Sequence, residues 1–419
     1  MKKQKRTTEP PFLPLLAWRN IWRNKRRTLI TLLSVFMAVL LSSLMISIQQ
    51  GAWNAMIANL LNTYTGYIQI HRKGYNDNPS VNLSFQASQE LIRKIESHPK
   101  VQIALPRLES FALASTENLS RGVLVLGINP DAENAITKLT ARISKGKYFA
   151  EGEKSALLSD SLAAHLQLQP GDTIVLLSQG YHGMSAAGKY SIAGLVHFPS
   201  PDINRNLVLL PLKTAQEFYG TGNRITSLAL FLDSDSDVEK TAKTLQNQVD
   251  TSQYEVLSWT QTMPELVQAR DVDTAGAILM LAVLYVIVSF GIFGTLIMMV
   301  RERIYEMGVL IAIGMKRYLL GIMFWLEITF IGLLGAILGM AASFPVVYYF
   351  NQHPINMTQL SSDATAIYER FGFEPIFPAS MDPIIFARQA LFIFLITSIM
   401  ALYPFWTLKK LKVTEAMKS

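Results

Sequence analysis

The chain has 419 residues, of which 50% are hydrophobic and 16% charged, with a formal net charge of +7 and no cysteine. That balance excludes one large soluble core as the whole protein, and the missing thiols exclude disulfide staples and thiolate metal sites. Cysteine usage leaves the redox compartment of any external part open.

Residues 1–27 form a basic segment containing Lys2, Lys3, Lys5, Arg6, Arg19, Arg23, Lys25, Arg26 and Arg27. Residues 28–48 then carry no charge, and about 20 apolar residues at about 1.5 Å rise each cross the hydrocarbon core. The run reads as a retained membrane helix. Its apolar core is longer than the roughly 7–15 residues of a signal peptide, and 47–53 offers no small-x-small cleavage site. The helix and a stalk beyond it occupy 28–60, and the uncharged stretch continues to Ile70.

An external α+β domain is expected over 61–258. Strands are read at 67–71, 123–126, 155–159, 173–177, 190–196, 207–210 and 227–232, and helices at 88–96, 160–166 and 237–248. Asp160 is available as the N-cap of its helix. Residues 144–219 read as a strand-rich insertion, and the two ends of the domain are expected to return to the membrane side by side. A second stalk and membrane helix cover 259–300, uncharged from Thr274 onward and without proline after Pro264. A charged, glycine-punctuated amphipathic stretch follows at 301–317, then a third span at 318–350 with the single acid Glu327, an outer loop at 351–384, a fourth span at 385–408 and a tail at 409–419. The fold class is therefore an α-helical membrane protein with four transmembrane helices and a large α+β extracytoplasmic domain between the first two.

Lysine and arginine in the short flanks set the orientation. The amino-terminal cations, then Arg301, Arg303, Lys316 and Arg317, then Lys409, Lys410, Lys412 and Lys418, all belong in the cytoplasm. Acids outweigh Arg370 in the outer loop, at Asp363, Glu369, Glu374 and Asp382. Both termini are thus expected inside, and the positive charge is a topology signal that favours anionic lipid headgroups over nucleic acid as partner.

Catalytic motifs are missing. Gly146-Lys147 and Gly188-Lys189 are each followed by tyrosine, so neither completes a phosphate-cradling loop. Ser185, in Gly183-Met184-Ser185-Ala186-Ala187-Gly188, misses the hydrolase elbow by one residue and reads as a hairpin tip. His71, His98, His165, His182, His197 and His353 lack metal-ligand spacing. Glu327 is expected near the headgroups, neutralised by water or by Lys316 and Arg317, the alternative being a polar contact that fixes helix packing or senses the cytoplasmic layer, and Arg388 is expected to snorkel. Gly291 and Gly294 on the second span, with Gly332, Gly335 and Gly339 on the third, make small-residue faces suited either to contacts within the chain or to a partner's helix.

In the stretch 301–317, Glu302 and Glu306 stand at i,i+4, Met307, Leu310 and Ile311 supply a hydrophobic face, and Gly308 and Gly314 permit close approach and a sharp exit. The pattern Arg301-x-Arg303-x-x-Glu306-x-Gly308-Val309-Leu310-x-Ala312-Ile313-Gly314, the entry sequence LAWRNIWRNKRRT, the external segment GKYFAEGEKSALLSDSLAAHLQLQPGDTIVLL and the closing LYPFWTLKKLKVTEAMKS resemble the MacB/LolC/LolE/FtsX-like permeases of ABC transporters over nearly the whole chain. The tail departs from the family form at Thr407 and Val413, where alanine and proline are common.

The resemblance implies a non-catalytic permease of the bacterial cytoplasmic membrane, with its large domain periplasmic or extracellular. It implies a separate ABC ATPase in two copies that binds the ATP and magnesium, no cofactor on this chain, and a second permease, the same or related. Coupling to the ATPase falls on Arg301, Glu302, Glu306, Met307, Gly308, Leu310, Ala312 and Gly314. ATP-driven motion would pass through the helices to the external domain without carrying cargo through a channel. Lipoprotein, peptide or another amphiphile is the implied cargo, with lipoprotein release foremost because no ATPase is fused. An FtsX-like signalling permease acting on a cell-wall hydrolase, or a membrane scaffold, are the alternatives.

Overall fold

The computed structural model describes residues 13–23, 25–232, 237–356 and 376–410. The basic residues Lys2 to Arg6, the loop residues Asp363, Glu369, Arg370 and Glu374, and tail residues Lys412, Val413 and Lys418 lie outside the described residues. The chain divides into a helical unit, made of the segments up to Trp53, Asp271–Ile355 and from Ile376 onward, and a second unit that holds Asn54–Arg270.

In the helical unit, α1 (Leu13–Arg23) precedes α2 (Lys25–Leu60). Then follow α10 (Pro264–Glu302), α11 (Ile304–Ala312), α12 (Arg317–Gln352), α13 (Pro383–Met400) and α14 (Tyr403–Lys410), the labels α3 to α9 falling in the other unit. Among the described residues, four spans are long and apolar enough to cross a membrane: Lys25–Thr65, Pro264–Glu302, Arg317–Gln352 and Pro383–Lys409. The fourth is broken at Ala401 and Leu402, because Pro404 just beyond has no N–H to donate to the preceding turn. The first helix, α1, was not expected from the sequence. Leu13, Ala17 and Ile21 recur at four-residue spacing and bury their side chains, with Asn20 against Met323 and Trp18 edge-on to Phe330 of α12. Its Trp18 and Trp22 are exposed.

In the second unit, the strands are β1 (Ile68–Arg72), β2 (Val101–Ser115), β3 (Ser120–Ile128), β4 (Ile143–Gly146), β5 (Ser155–Ser159), β6 (Thr173–Gln179), β7 (Ser185–Val196), β8 (Leu207–Pro211), β9 (Ser227–Leu232) and β10 (Tyr254–Ser258). They form one sheet in the order β10-β1-β9-β2-β3-β8-β5-β7-β4, with β6 paired to β2 and β7. The strands of 144–219 belong to this same sheet, joined through the parallel β3–β8 pair and the antiparallel β2–β6 pair. Strands β5, β8 and β9 are buried along their whole length, which explains their unbroken apolar runs, since a strand covered on both faces has no solvent side to make polar.

Helices α3 (Gln89–Glu96), α4 (Pro130–Thr137), α5 (Asp160–Leu166), α6 (Pro201–Asn206), α7 (Leu212–Tyr219), α8 (Val238–Gln246) and α9 (Trp259–Thr262) complete the unit. Ile95 of α3 and Val238, Ala242 and Leu245 of α8 share a core with Ile68, Ile70, Leu228 and Leu230. Asp160 is not the N-cap of α5. Ser159 holds that position, and Asp160, one residue inside, accepts from the Ser144 hydroxyl instead.

The two chain segments that lead to membrane spans meet in adjacent strands, β1 and β10, paired from Ile68↔Ser258 to Arg72↔Tyr254. Ser258 then starts α9 through a reciprocal cap with Gln261. Pro264 occupies the first position of α10, where its missing N–H is harmless.

Candidate functional site

Six charged side chains converge at the Lys25 end of the helical unit. Glu327 of α12 is fully buried and accepts from Nη1 of Arg303 at 2.7 Å, while Nη2 of Arg27 stands 3.5 Å from its other oxygen, at ion-pair range. Arg27 also donates to Glu302 at 3.2 Å, and Arg23 donates to Glu306. Three cations thus face three anions, and Arg303, 4% exposed, lies over the Phe324 ring at 5.6 Å. Local structure brings them together. Thr28 of α2 donates to the carbonyl of Ile21 of α1 at 2.7 Å and ties the two helices together. Arg303 sits in the break between α10 and α11 with φ −104° and ψ 6°, so its side chain turns back under the helix ends. The cluster therefore joins α1, α2, α10, α11 and α12.

This corrects the expectation for Glu327, which is neither at the water layer nor paired with Lys316 or Arg317. Arg317 donates instead to the carbonyls of Leu408 and Lys409, at 3.4 and 3.0 Å, at the end of α14. The Lys316 ammonium lies over the Tyr318 ring. The reason lies in burial. A carboxylate withdrawn from water needs cations that are withdrawn with it, and Arg27 and Arg303 are both buried.

The eight coupling candidates separate into three groups. Glu302 and Glu306 are held by arginines of the amino-terminal helices. Met307 and Gly308 are buried, with Met307 in the hydrophobic core of the helical unit that also holds Leu296, Val300 and Phe324. Arg301, Leu310, Ala312 and Gly314 are exposed. The apolar face of α11 that remains open is accordingly Tyr305, Leu310 and Ala312, continued by Ile313 at 78% exposure, rather than the expected Met307, Leu310 and Ile311. Gly314 ends α11 with φ +108°, donating to Ile311 at 3.0 Å while Met315 donates to Leu310 at 3.0 Å. This is the paired hydrogen-bond pattern of a glycine helix stop.

The five packing glycines also separate. A Cβ on Gly335 would lie 2.9 Å from Val35, one on Gly339 would lie 2.8 Å from the Phe36 carbonyl and Val39, and one on Gly332 would lie 2.9 Å from Thr397. These three seat α12 against α2 and α13. Around Gly291 and Gly294 no atom of the described residues beyond the local helix turn lies within 4 Å of such a Cβ.

Sequence reasoning missed Arg23, Arg27 and Arg303 as partners of the acids, having counted them for topology alone. The available signal was the charge balance, three acids at membrane edges facing three arginines.

Comparison with known proteins decides the family. The model of the MacB-like periplasmic core domain matches residues 28–248, more than half of the chain, and that of the FtsX-like permease C-terminal matches 278–413. The chain belongs to the MacB/LolC/FtsX-like ABC transporter permeases. Among relatives of this permease, the lipoprotein-releasing system transmembrane protein LolC of Neisseria meningitidis is 20% identical over 74% of this chain and 75% of its own length. The pyoverdine export ATP-binding/permease protein PvdT of Pseudomonas aeruginosa is 22% identical over 78% of this chain and 49% of its own. The periplasmic region of MacB from Actinobacillus actinomycetemcomitans covers 51% of the permease and 98% of that structure, with 16% identity and a TM-score of 0.34. The sequence matches carry the assignment, and a structural likeness at that score adds nothing to it.

Proposed function

We propose that this permease transmits the ATP-driven motion of a separate ATPase to its periplasmic domain, and that the work done there is release of a lipoprotein from the membrane. The observation that carries the reading is the charge cluster. It fixes α11 to α1, α2, α10 and α12 while leaving Tyr305, Leu310, Ala312 and Ile313 open, so a push on the apolar face is delivered to several membrane helices at once. Two ATPase copies bind the ATP and magnesium, and this chain contributes no catalytic group. A second permease, the same or related, completes the assembly. Both termini face the cytoplasm of a bacterial inner membrane, where Trp18 and Trp22 of α1 meet the lipid headgroups. The lipoprotein cargo is supported by the extent of the LolC match, which spans most of both chains.

The test is copurification of the tagged permease with an ATPase, followed by an assay of ATP-stimulated lipoprotein release. A partner without release would turn the reading toward an FtsX-like signalling permease, and no partner would leave a scaffold. Within that assay, Glu306→Arg sets two arginines against each other, and Gly314→Pro demands φ near −65° where the chain has +108° and deletes the donor to Ile311. Each is expected to reduce release by at least about tenfold, equivalent to roughly 1.4 kcal/mol, with membrane insertion retained. Unchanged release in both would sink the docking role of α11.

A further inference from the structure

The membrane helix α2 does not end where its α-helical hydrogen bonding ends. Residues Leu61–Thr65 continue it as a single π-helical turn with Leu61, Thr63 and Thr65 buried, closed by Gly66 at φ +71°. A Cβ on Gly66 would lie 3.0 Å from the Leu230 carbonyl, and the next residue, Tyr67, donates to that same carbonyl at 2.9 Å. The chain thus passes from stalk helix to sheet within two residues, and a π turn at such a place is often a built feature.

One arginine holds this turn. Arg107 of β2 is buried and grips Glu133 of α4 with two bonds, Nε to Oε2 at 3.1 Å and Nη2 to Oε1 at 2.5 Å. Its remaining nitrogen, Nη1, donates to the backbone carbonyl of Tyr64, inside the π turn. The Tyr64 hydroxyl reaches back to β2, donating to Glu109 at 2.8 Å, and Tyr75 donates to the Glu109 carbonyl at 3.1 Å. Thr226 closes the loop, its hydroxyl accepting from the Glu109 N–H at 2.7 Å. Glu133 is placed by its helix start, where the Asn129 side chain accepts from Ala132 and the amide dipoles favour a carboxylate. Burial holds the Glu109 carboxyl above its usual range against the opposing pull of the Tyr64 hydroxyl and Arg107.

Arg107 also occupies a special point in the sheet. Residues 101–107 of β2 pair with β9, and 107–115 pair with β3, so Arg107 belongs to both ladders. A buried ion pair is a costly way to gain stability, since apolar residues of equal volume do as well or better. What it supplies is a fixed geometry.

We propose that Arg107 is the positioning residue that locks the foot of the first stalk to the periplasmic sheet, so that the π turn, β2 and α4 move as one piece. This rests on the transmission role above and deepens it, by naming where motion along α2 is handed to the domain. The planar guanidinium is required because one group must reach a carboxylate and a carbonyl together, which an ammonium cannot do with the same fork geometry.

The test uses the full chain in lipid nanodiscs without ATPase or nucleotide, so its outcome is independent of whether an ATPase partner is found. The sequence has no cysteine, so Asn54→Cys and Ser185→Cys give a spin-label pair on exposed positions of the same unit with no background thiol. Arg107→Lys keeps the charge beside Glu133 but loses the fork. The expected result is a broadened label-to-label distance distribution and amide exchange at least about tenfold faster at 61–66, with exchange in β5 and β8 unchanged. Tyr64→Phe, which leaves the Arg107–Glu133 pair whole, is expected to shift both readouts less and in the same direction. Exchange that rises equally across the whole sheet would make Arg107 an ordinary stabilising residue and overturn the proposal. So would an unchanged distance distribution in Arg107→Lys.

Discussion

Arg303→Ala is expected to destabilise the permease by about 3–5 kcal/mol, the cost of stranding a buried charge by removing its partner. Glu327 is fully buried, and without Arg303 its remaining cation is Arg27 at 3.5 Å, which already serves Glu302. The cost belongs to the stranded carboxylate more than to the lost bond. Arg303→Met combined with Glu327→Met should therefore recover most of the loss, because a matched apolar pair leaves no buried charge unpaired. The exposed pair at the other side of the cluster sets the scale. Arg23 and Glu306 are both about half exposed, so Glu306→Gln should cost no more than about 1 kcal/mol. Thermal unfolding of the detergent-solubilised chain measures all three. If Arg303→Ala and Glu306→Gln proved equally mild, Glu327 would have to be hydrated, and the cluster would not be the rigid seat of α11.

The double variant also separates stability from function. Two methionines restore packing but not the directional bonds that orient α11 relative to α2. A stable protein with reduced ATP-stimulated release would assign the cluster to transmission. Full release would assign it to folding alone.

The sequence made the four spans legible because apolar runs of that length, with at most one charge in each, have no other use, and it made most strands legible through their apolar runs. Strand β2 escaped because Pro106, Arg107 and Glu109 interrupt every periodic pattern. The fold tolerates Pro106 where β2 pairs with Leu228 of β9, since the ladder to β3 begins one residue later. Arg107 and Glu109 are polar for the sake of the π turn and α4, contacts more than 20 residues away in the chain. The charge cluster was hidden for the same reason. Arg27 and Glu327 carry no sign of each other in their local sequence, and the excess of cations around Arg27 is explained well enough by membrane topology. Helix α11 was legible as amphipathic, but which face lies open depends on the break at Arg303, which rotates Met307 inward.

Gly339→Leu and Gly335→Leu are expected to be among the most damaging single changes in the helical unit, while Gly291→Leu and Gly294→Leu should be tolerated by the isolated chain. The contrast follows from what a side chain would meet. At Gly339 the first carbon alone would press on the Phe36 carbonyl, a backbone atom that moves only if α2 moves, and at Gly335 it would press on Val35 and the Leu32 carbonyl at 2.9 and 3.0 Å. Overpacking of this kind costs about 1–3 kcal/mol or more. The damage should extend to the charge cluster, because the contacts Arg27 to Glu327, Val35 to Gly335 and Val39 to Gly339 follow one another with a constant offset along α2 and α12. Pushing the helices apart at the glycines pulls the Arg27 guanidinium away from its carboxylate. Gly291 and Gly294 have open space around them, and replacing glycine within a helix gains up to about 1 kcal/mol. Stability in detergent and release in the assembled transporter should then disagree for these two positions if a second permease packs on that face of α10. Equal tolerance at all four positions would show that α2 and α12 are not held at glycine distance, and the register that brings Arg27 to Glu327 would lose its support.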